Sequence, residues 1–232
     1  MGKERIQKVE KMVIVMAGAS GAGKDVTMKR LIERTNCKQV VTNCAGRELR
    51  EGEVDGVDYN FVSVEKFEEM IIEGKLLEFA RYGETYKGTS LGCLEKVKEG
   101  PIIWRIDPES AANAKKILVA KDMEKISEKI TTVYIGAPSV KNLYERQMRR
   151  DPPPKKEVVI ERMRQDWDDW KRYGKDRYDL LVINEEGKLD QTVDKIIKGL
   201  KKVSRKRFFN KIINWPKQFF NRLAASAGVM AK

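Results

Sequence analysis

The feature that most constrains the fold of this chain is a glycine-rich stretch near its start, GASGAGKDVT at residues 18–27. An apolar run leads into the stretch and apolar residues at helical spacing follow it, so the sequence predicts strand, loop and helix in that order. The stretch matches the phosphate-binding pattern G-x-x-x-x-G-K-(S/T) except at its last position, which is Asp25. Backbone amides of such a loop can wrap a phosphate at the helix N-terminus, and Lys24 can set its ammonium group against the terminal phosphates.

The composition excludes several kinds of chemistry. The 232 residues suffice for one sizeable domain, or for a domain with an appendage, and 35% of them are charged, which is typical of a globular protein with a polar surface. Histidine is absent, which excludes a Ser-His relay, a histidine general base and a metal ion held by histidine. Chemistry must therefore come from Lys, Arg, carboxylates, backbone amides and a bound ion.

The cysteines and the first residues indicate a cytoplasmic protein. Cys37, Cys44 and Cys93 are odd in number and form no C-x-x-C pair, so reduced thiols are expected rather than a disulfide framework or a zinc site. Residues 1–11 do not resemble a signal peptide. The longest apolar stretch, 12–19, is too short to cross a bilayer.

Apolar segments alternate with amphipathic ones along most of the chain. Strands are predicted in KMVIVMAG, KQVVTN, PIIWRID, ITTVYIGA and YDLLVIN, with helices between them. The alternation predicts an α/β fold, a parallel sheet core flanked by helices on both faces. Residues 43–98 are richer in charged loops and are interpreted as an inserted subdomain, which leaves 11–42 and 99–200 for the core.

Two stretches of the subdomain, GRELREGEVDGVDYNFV and LLEFARYGETYKGTS, carry a resemblance to a known family. The first contains R-x-x-R-x-G-E-x-(D/N)-G-x-D-Y-x-F without a break from Arg47 to Phe61. Together with the glycine loop, these stretches resemble guanylate kinases over roughly residues 11–200. The resemblance implies a P-loop nucleoside-monophosphate-kinase fold, with 43–98 as an inserted monophosphate-binding subdomain and a helical lid at about 146–162.

The resemblance implies roles for residues of the subdomain. Arg47, Arg50 and Tyr59 match the side chains that hold the phosphate of GMP, and two guanidinium groups with a phenol suit a dianionic phosphate. Glu78 matches the carboxylate that accepts hydrogen bonds from guanine N1–H and N2–H₂. Thr89 matches a hydroxyl that helps to read the base.

The resemblance also implies ATP as the second nucleotide and Mg²⁺ as the ion. The adenine of ATP would lie near Asn184. The phosphates would lie against the loop residues Gly18, Ala19, Ser20, Gly21, Ala22, Gly23, Lys24 and Asp25. Asp107 matches the second carboxylate of a D-x-D pattern, whose expected work is to position magnesium or water. Asp25 has two interpretations: a carboxylate ligand of Mg²⁺, or a favourable negative charge in the first turn of a helix.

Three arginines are implied as catalytic residues together with Lys24 and Asp107. Arg146, Arg150 and Arg162 match lid arginines, which stabilise the charge that builds on the phosphoryl group during transfer.

Some positions depart from the family pattern. Asn43 stands where a base-reading serine is usual and Lys87 where a phosphate-binding tyrosine is usual, and both are still expected to line the GMP site. Arg105 replaces the first aspartate of D-x-D, which reverses a charge near the expected ion. RRDPPPKK replaces the usual glycine-arginine run of the lid.

The expected activity is ATP-dependent phosphorylation of a nucleoside monophosphate, with GMP or dGMP as the acceptor. Two alternatives stay open. The Gly-Lys-Asp form of the loop resembles ribose 1,5-bisphosphate phosphokinase, which favours another small phosphorylated acceptor. Arg105 and Asp25 favour a non-catalytic guanylate kinase-like binding module, whereas Lys24 and the lid arginines favour an enzyme.

The C-terminal tail, 201–232, holds nine Lys or Arg and no acidic residue, and the net charge of the whole chain is +12. Apolar pairs recur at near-helical spacing between these basic residues. Through residues 203–223, a basic amphipathic segment of this kind can contact an anionic membrane surface, an acidic partner or a second subunit, or can pack on the domain. Small-molecule nucleotides are the other expected partners, and no sequence-specific nucleic-acid module is recognised.

Overall fold

Strands and helices alternate along the chain in the computed structural model, which describes residues 6–149, 153–174 and 177–207. The strands are β1 (Val13–Gly18), β2 (Lys38–Gln39), β3 (Asn43–Ala45), β4 (Asn60–Phe61), β5 (Leu76–Tyr82), β6 (Thr85–Ser90), β7 (Ile102–Arg105), β8 (Ile130–Gly136) and β9 (Leu180–Ile183). The helices are α1 (Lys24–Arg34), α2 (Val64–Ile72), α3 (Pro108–Val119), α4 (Glu124–Ser127), α5 (Val140–Met148), α6 (Lys156–Tyr173) and α7 (189–207), with a 3₁₀ helix at Cys93–Lys98.

The central sheet has five strands in the order β2-β7-β1-β8-β9, and each pairing is parallel. All residues of β1 are buried, because helices cover both faces of the sheet. Val15 and its neighbours on one face pack with α3, whereas Ile14 and Met16 pack on the other face with α1 and α7. The predicted α/β class, with a parallel sheet between helices, is confirmed.

A second sheet of four strands, in the order β4-β3-β6-β5, lies in the region interpreted as an insertion. It has its own small core, in which Phe67 of α2 packs with Ala45, Leu76 and Tyr86. One strand was predicted over KQVVTN, but its residues divide between the two sheets. Pairing with β7 ends at Gln39, and β3 then pairs with β4 and β6.

The last helix crosses the start of the predicted tail. It runs from 189 to 207, where Arg207 donates hydrogen bonds to the backbone carbonyls of Lys129 and Ile130. The other tail residues, 208–232, lie outside the described residues, and so does most of the segment predicted to make membrane, partner or self-association contacts. In the described part of the chain, every helix is too short or too polar to span a bilayer.

Candidate active site

A cavity of about 390 Å³ lies at the carboxyl edge of the central sheet, where ligands of open α/β sheets bind. The glycine loop, the second sheet and helices α5 and α6 all contribute to its wall. The lining includes most of the predicted site residues: Gly18, Ser20, Gly21, Gly23, Lys24, Asp25, Arg47, Arg50, Tyr59, Glu78, Lys87, Asp107, Arg146 and Arg162. Five more, Ala19, Ala22, Asn43, Thr89 and Asn184, are buried behind this lining. Arg150 lies outside the described residues.

The glycine loop has the geometry of a phosphate cradle between β1 and α1. Gly23 has a φ of +86° just before the helix, and a Cβ there would strike the side-chain amide of Asn184, so glycine is required. The Nζ of Lys24 donates to the carbonyls of Gly18 at 2.6 Å and Ala19 at 3.0 Å, which holds the ammonium group at the mouth of the loop. The loop therefore offers amides, a helix N-terminus and a cation to one anion.

An acidic side chain that the sequence analysis missed lies against this loop. Oδ2 of Asp166, on α6, accepts a hydrogen bond from the backbone N–H of Ser20 at 2.8 Å. Burial raises the pKa of this carboxyl, although nearby Lys24 acts in the opposite direction. The spacing from Arg162 to Asp166 places both residues on one face of α6, and this was the available sequence signal.

On the other side of the cavity, cationic side chains surround Tyr59. Arg47 forms a two-pronged ion pair with Glu53, with N–O distances of 2.7 and 2.8 Å, and its buried Nε has no partner in the described part of the chain. Nζ of Lys87 donates to the hydroxyl of Tyr59 at 2.9 Å. Burial, together with the neighbouring cations Arg47, Lys24 and Arg50, lowers the pKa of Lys87 to about 8. This half of the cavity is suited to a phosphate dianion.

A relay of hydrogen bonds orients Glu78. The indole N–H of Trp104 donates to the hydroxyl of Thr89 at 2.8 Å, and that hydroxyl donates to Oε1 of Glu78 at 2.6 Å. Burial raises the pKa of Glu78 to about 7. Nearby, the side-chain amide of Asn43 donates to the carbonyl of Gly88 at 3.2 Å. Of these three residues, Glu78 lines the cavity, whereas Thr89 and Asn43 lie buried next to it.

Helices α5 and α6 bring two arginines to the cavity. Arg146 donates through Nε to Glu186 at 3.2 Å and through Nη2 to the carbonyl of Asn184 at 2.9 Å. Its Nη1 is buried and has no hydrogen-bond partner among the described residues. Arg162 lines the cavity from α6. Asn184 itself donates to the carbonyl of Ala22 at 2.9 Å and supports the loop from below.

The predicted magnesium ligands differ in their surroundings. The carboxylate of Asp25 contacts the guanidinium of Arg105. Oδ1 of Asp107 caps α3 by accepting the N–H of Ser110 at 2.8 Å, while its Oδ2 is buried without a partner in the described residues. Within those residues, no group of three or more Asp, Glu, Cys or His is placed to hold a metal ion. The site therefore fits an Mg²⁺ ion that keeps phosphate and water ligands and takes one carboxylate, that of Asp107.

A P-loop beside a second anion site defines a nucleotide phosphotransferase fold, and comparison with known proteins agrees. The guanylate kinase family model matches residues 10–206. The guanylate kinase of Paramagnetospirillum magneticum is 32% identical over 78% of this chain and 80% of that protein. That of Oceanobacillus iheyensis is 30% identical, over 86% and 91% respectively. This chain belongs to the guanylate kinase family.

A solved structure supports the fold independently. The crystal structure of guanylate kinase from Anaplasma phagocytophilum matches with a TM-score of 0.56 and 22% sequence identity, over 84% of this chain and 87% of that one. The predicted nucleoside-monophosphate-kinase fold is therefore confirmed.

Proposed function

We propose that this protein transfers the γ-phosphoryl group of ATP to GMP or dGMP and releases ADP with GDP or dGDP. An oxygen of the acceptor phosphate attacks the γ-phosphorus, and the bond to the β–γ bridging oxygen breaks. The observation that carries the proposal is that one cavity contains both Lys24 of the glycine loop and the cationic pocket around Tyr59. Phosphoryl transfer asks mainly for two anions held in line and for neutralised charge, and this cavity supplies both conditions.

On the donor side, the loop amides and Lys24 hold the β- and γ-phosphates of ATP. Arg146 contributes its Nη1, for which the described residues supply no hydrogen-bond partner, and Arg162 adds a second lid cation as charge develops on the transferred group. Arg150 is proposed for the same role. Asn184 is proposed to lie near the adenine of ATP, because its side chain donates to the loop carbonyl of Ala22.

On the acceptor side, Arg47, Arg50, Tyr59 and Lys87 hold the monophosphate. The ion pair with Glu53 fixes the guanidinium of Arg47 in one orientation. Arg47 therefore loses little side-chain conformational entropy when the acceptor binds. We also propose that the subdomain 43–98 and the lid at about 146–162 close on the core 11–42 and 99–200, which would shield ATP from water.

Guanine recognition is assigned to Glu78, with Thr89 and Asn43 behind it. An ionised carboxylate can accept from both N1–H and N2–H₂ of guanine. Adenine has no donor at the position of N1, so it would leave the carboxylate with the hydroxyl of Thr89 and without the hydrogen bonds from the base.

Mg²⁺ is the proposed cofactor, held by the phosphates and by Asp107. When bound, the ion neutralises phosphate charge. Asp25 remains a second candidate ligand, although its contact with Arg105 pairs its charge already. The free thiols of Cys37 and Cys44, both buried, support the proposed cytoplasmic location.

An acceptor panel tests the function. Purified protein with ATP and Mg²⁺ is offered GMP, dGMP, AMP, UMP or ribose 1,5-bisphosphate, and ADP is measured. We expect the highest kcat/KM with GMP or dGMP. ADP formation with the sugar phosphate alone would establish the other acceptor, while GMP binding without ADP would establish a binding module.

Two variants test the assigned roles in the same panel. Lys24→Ala should lower turnover with every acceptor, because the cation serves the common donor. Glu78→Ala should reduce the preference for guanine more than Lys24→Ala does. Equal effects of both on the preference would contradict the assignment.

A further inference from the structure

Arg105 is the cationic residue of the cavity that the proposed function leaves without a role. It ends β7, where it pairs in register with Met16 of β1, two residues before the glycine loop starts. Its side chain is only 11% exposed, and it lines the same cavity as Lys24 and Lys87. A guanidinium stays charged in proteins, so this residue places a fixed positive charge inside the cavity.

Two contacts place the Arg105 guanidinium between the donor and acceptor halves. Nη1 lies against Oδ1 of Asp25, in the first turn of α1. On its other side, Cζ lies 4.6 Å from the centre of the Tyr59 ring. Asp25 follows the glycine loop directly and Tyr59 belongs to the monophosphate pocket. Arg105 therefore bridges the two half-sites.

The guanidinium also keeps donors for an anion. Arginine has five N–H groups, and Asp25 supplies the one hydrogen-bond acceptor found for Arg105 in the described part of the chain. Burying a cation is costly unless anionic groups meet its donors. The anion that belongs between a donor loop and a monophosphate pocket is a phosphoryl group.

The two most unusual residues of the site touch each other. Asp25 stands where the loop pattern has a hydroxyl, and Arg105 stands where the family has an aspartate. The change to Asp25 lowers the charge of the cavity by one, and the change to Arg105 raises it by two. Together they raise it by only one and leave the local sum of that carboxylate and guanidinium near zero. Their direct contact indicates that the two changes act as a unit.

We propose that Arg105 is a further catalytic residue, which contacts oxygens of the phosphoryl group in transit. Asp25 is the positioning residue that holds its guanidinium over the ring of Tyr59. This inference rests on the proposed function, because it assigns a contact within the same transfer. It supplies a protein cation at the point where the family pattern has a carboxylate.

Arg105→Gln tests the contact. We expect kcat to fall about 10²-fold, as for other lost transition-state donors, with KM for ATP and for GMP within about threefold of wild type. A bisubstrate ligand, adenosine and guanosine joined by five phosphates, should bind at least about tenfold more weakly, while ADP and GMP alone bind as before. A kcat within threefold of wild type, or unchanged bisubstrate binding, would overturn the proposal.

Arg81→Gln is the matched control. Its guanidinium also lies over a tyrosine ring, 5.0 Å from the centre of Tyr86, but Arg81 does not line the cavity. This variant should keep wild-type kcat and bisubstrate affinity. If Arg105→Gln does not fold, Arg105→Met is measured instead, because it removes the charge and keeps most of the side-chain volume. A wild-type kcat with wild-type bisubstrate affinity in that variant would count against the proposal.

Asp25→Asn tests the positioning role by a double-mutant cycle. It should lower kcat less than Arg105→Gln does, and it should add little in the combined variant, because its effect passes through Arg105. Fully additive losses would contradict this role. If the wild-type protein transfers no phosphoryl group to GMP, the proposed function fails, and bisubstrate binding by wild type and Arg105→Gln still decides the phosphate contact.

Discussion

Glu78 provides the most searching prediction, because its burial affects both binding and stability. The pKa of its carboxyl lies at about 7 instead of 4.5, through burial, while the hydroxyl of Thr89 limits the rise. Only the ionised form can accept both guanine donors. The perturbations are the substitution Glu78→Gln, which keeps an acceptor for Thr89, and a pH series from 5 to 8.

The structure gives the magnitude of each effect. With a pKa of about 7, the ionised fraction falls about tenfold between pH 8 and pH 6, so KM for GMP should rise by about that factor. Glu78→Gln should raise KM for GMP about 10²-fold at pH 8, since it loses a charge-assisted hydrogen bond and presents an N–H to a donor. The kcat/KM for AMP should rise relative to that for GMP.

Ionisation of Glu78 should have opposite effects on binding and on stability: it favours GMP binding and lowers the free energy of unfolding. The unfolded chain releases this proton near pH 4.5 and the folded chain near pH 7, so the carboxyl lowers stability progressively as pH rises between these values. The loss amounts to about 3 kcal/mol at pH 8. Glu78→Gln should therefore unfold with a free energy that depends less on pH, and should be more stable than wild type at pH 8.

Urea titrations at pH 5 and pH 8 measure the stability change, and initial rates with varied GMP measure binding. The second ionisation of the GMP phosphate also lies near pH 6. The variant keeps that titration and loses the one due to Glu78, so the difference between the two proteins isolates the carboxyl. The interpretation would be wrong if wild type and Glu78→Gln showed the same dependence of KM on pH and the same dependence of unfolding free energy on pH.

Three further predictions concern neighbouring groups. Asp166→Ala should lower KM for ATP about fivefold, because a carboxylate no longer competes with phosphate for the loop amide. Asp168→Ala, at an exposed position of the same helix, is the control and should leave this KM unchanged. A raised KM in Asp166→Ala would show instead that Asp166 assists ATP binding. Gln147→Leu should raise the free energy of unfolding by about 1–3 kcal/mol, because this fully buried amide has no hydrogen-bond partner among the described residues. Exposed Gln165→Leu is its control, and equal stability of both variants would contradict the argument. kcat/KM for GMP should fall above pH 8 as Lys87 loses its proton, and Lys87→Arg should remove this limb; a limb that persists in the variant would exclude Lys87 as its source.

The sequence was informative wherever residues close in the chain form the feature. The glycine loop, the pattern from Arg47 to Phe61 and the buried strands are contiguous, so local pattern and apolar periodicity predicted them. The order of strands in the sheet could not be read in this way. Strand ends also shifted, because KQVVTN divides between two sheets whose pairing partners lie far away in the chain.

The contacts that the sequence missed join distant residues. Asp166 lies 146 positions from the loop amide that it binds, and Arg105 lies 80 positions from Asp25. Each of these residues is ordinary in its own helix or strand. Asp25 and Arg105 each depart from a pattern in the sequence, but only the packing of β7 beside β1 shows that they contact each other.

Transfer between two anions held in line in one cavity moves a phosphoryl group directly from ATP to GMP. It is tested most directly by mixing the protein with Mg²⁺, GMP and ATP labelled with ³²P at the γ position, and separating the products. We expect the label to move into GDP, one equivalent for each ADP formed. Label that stays in ATP, or appears only as inorganic phosphate, would contradict it.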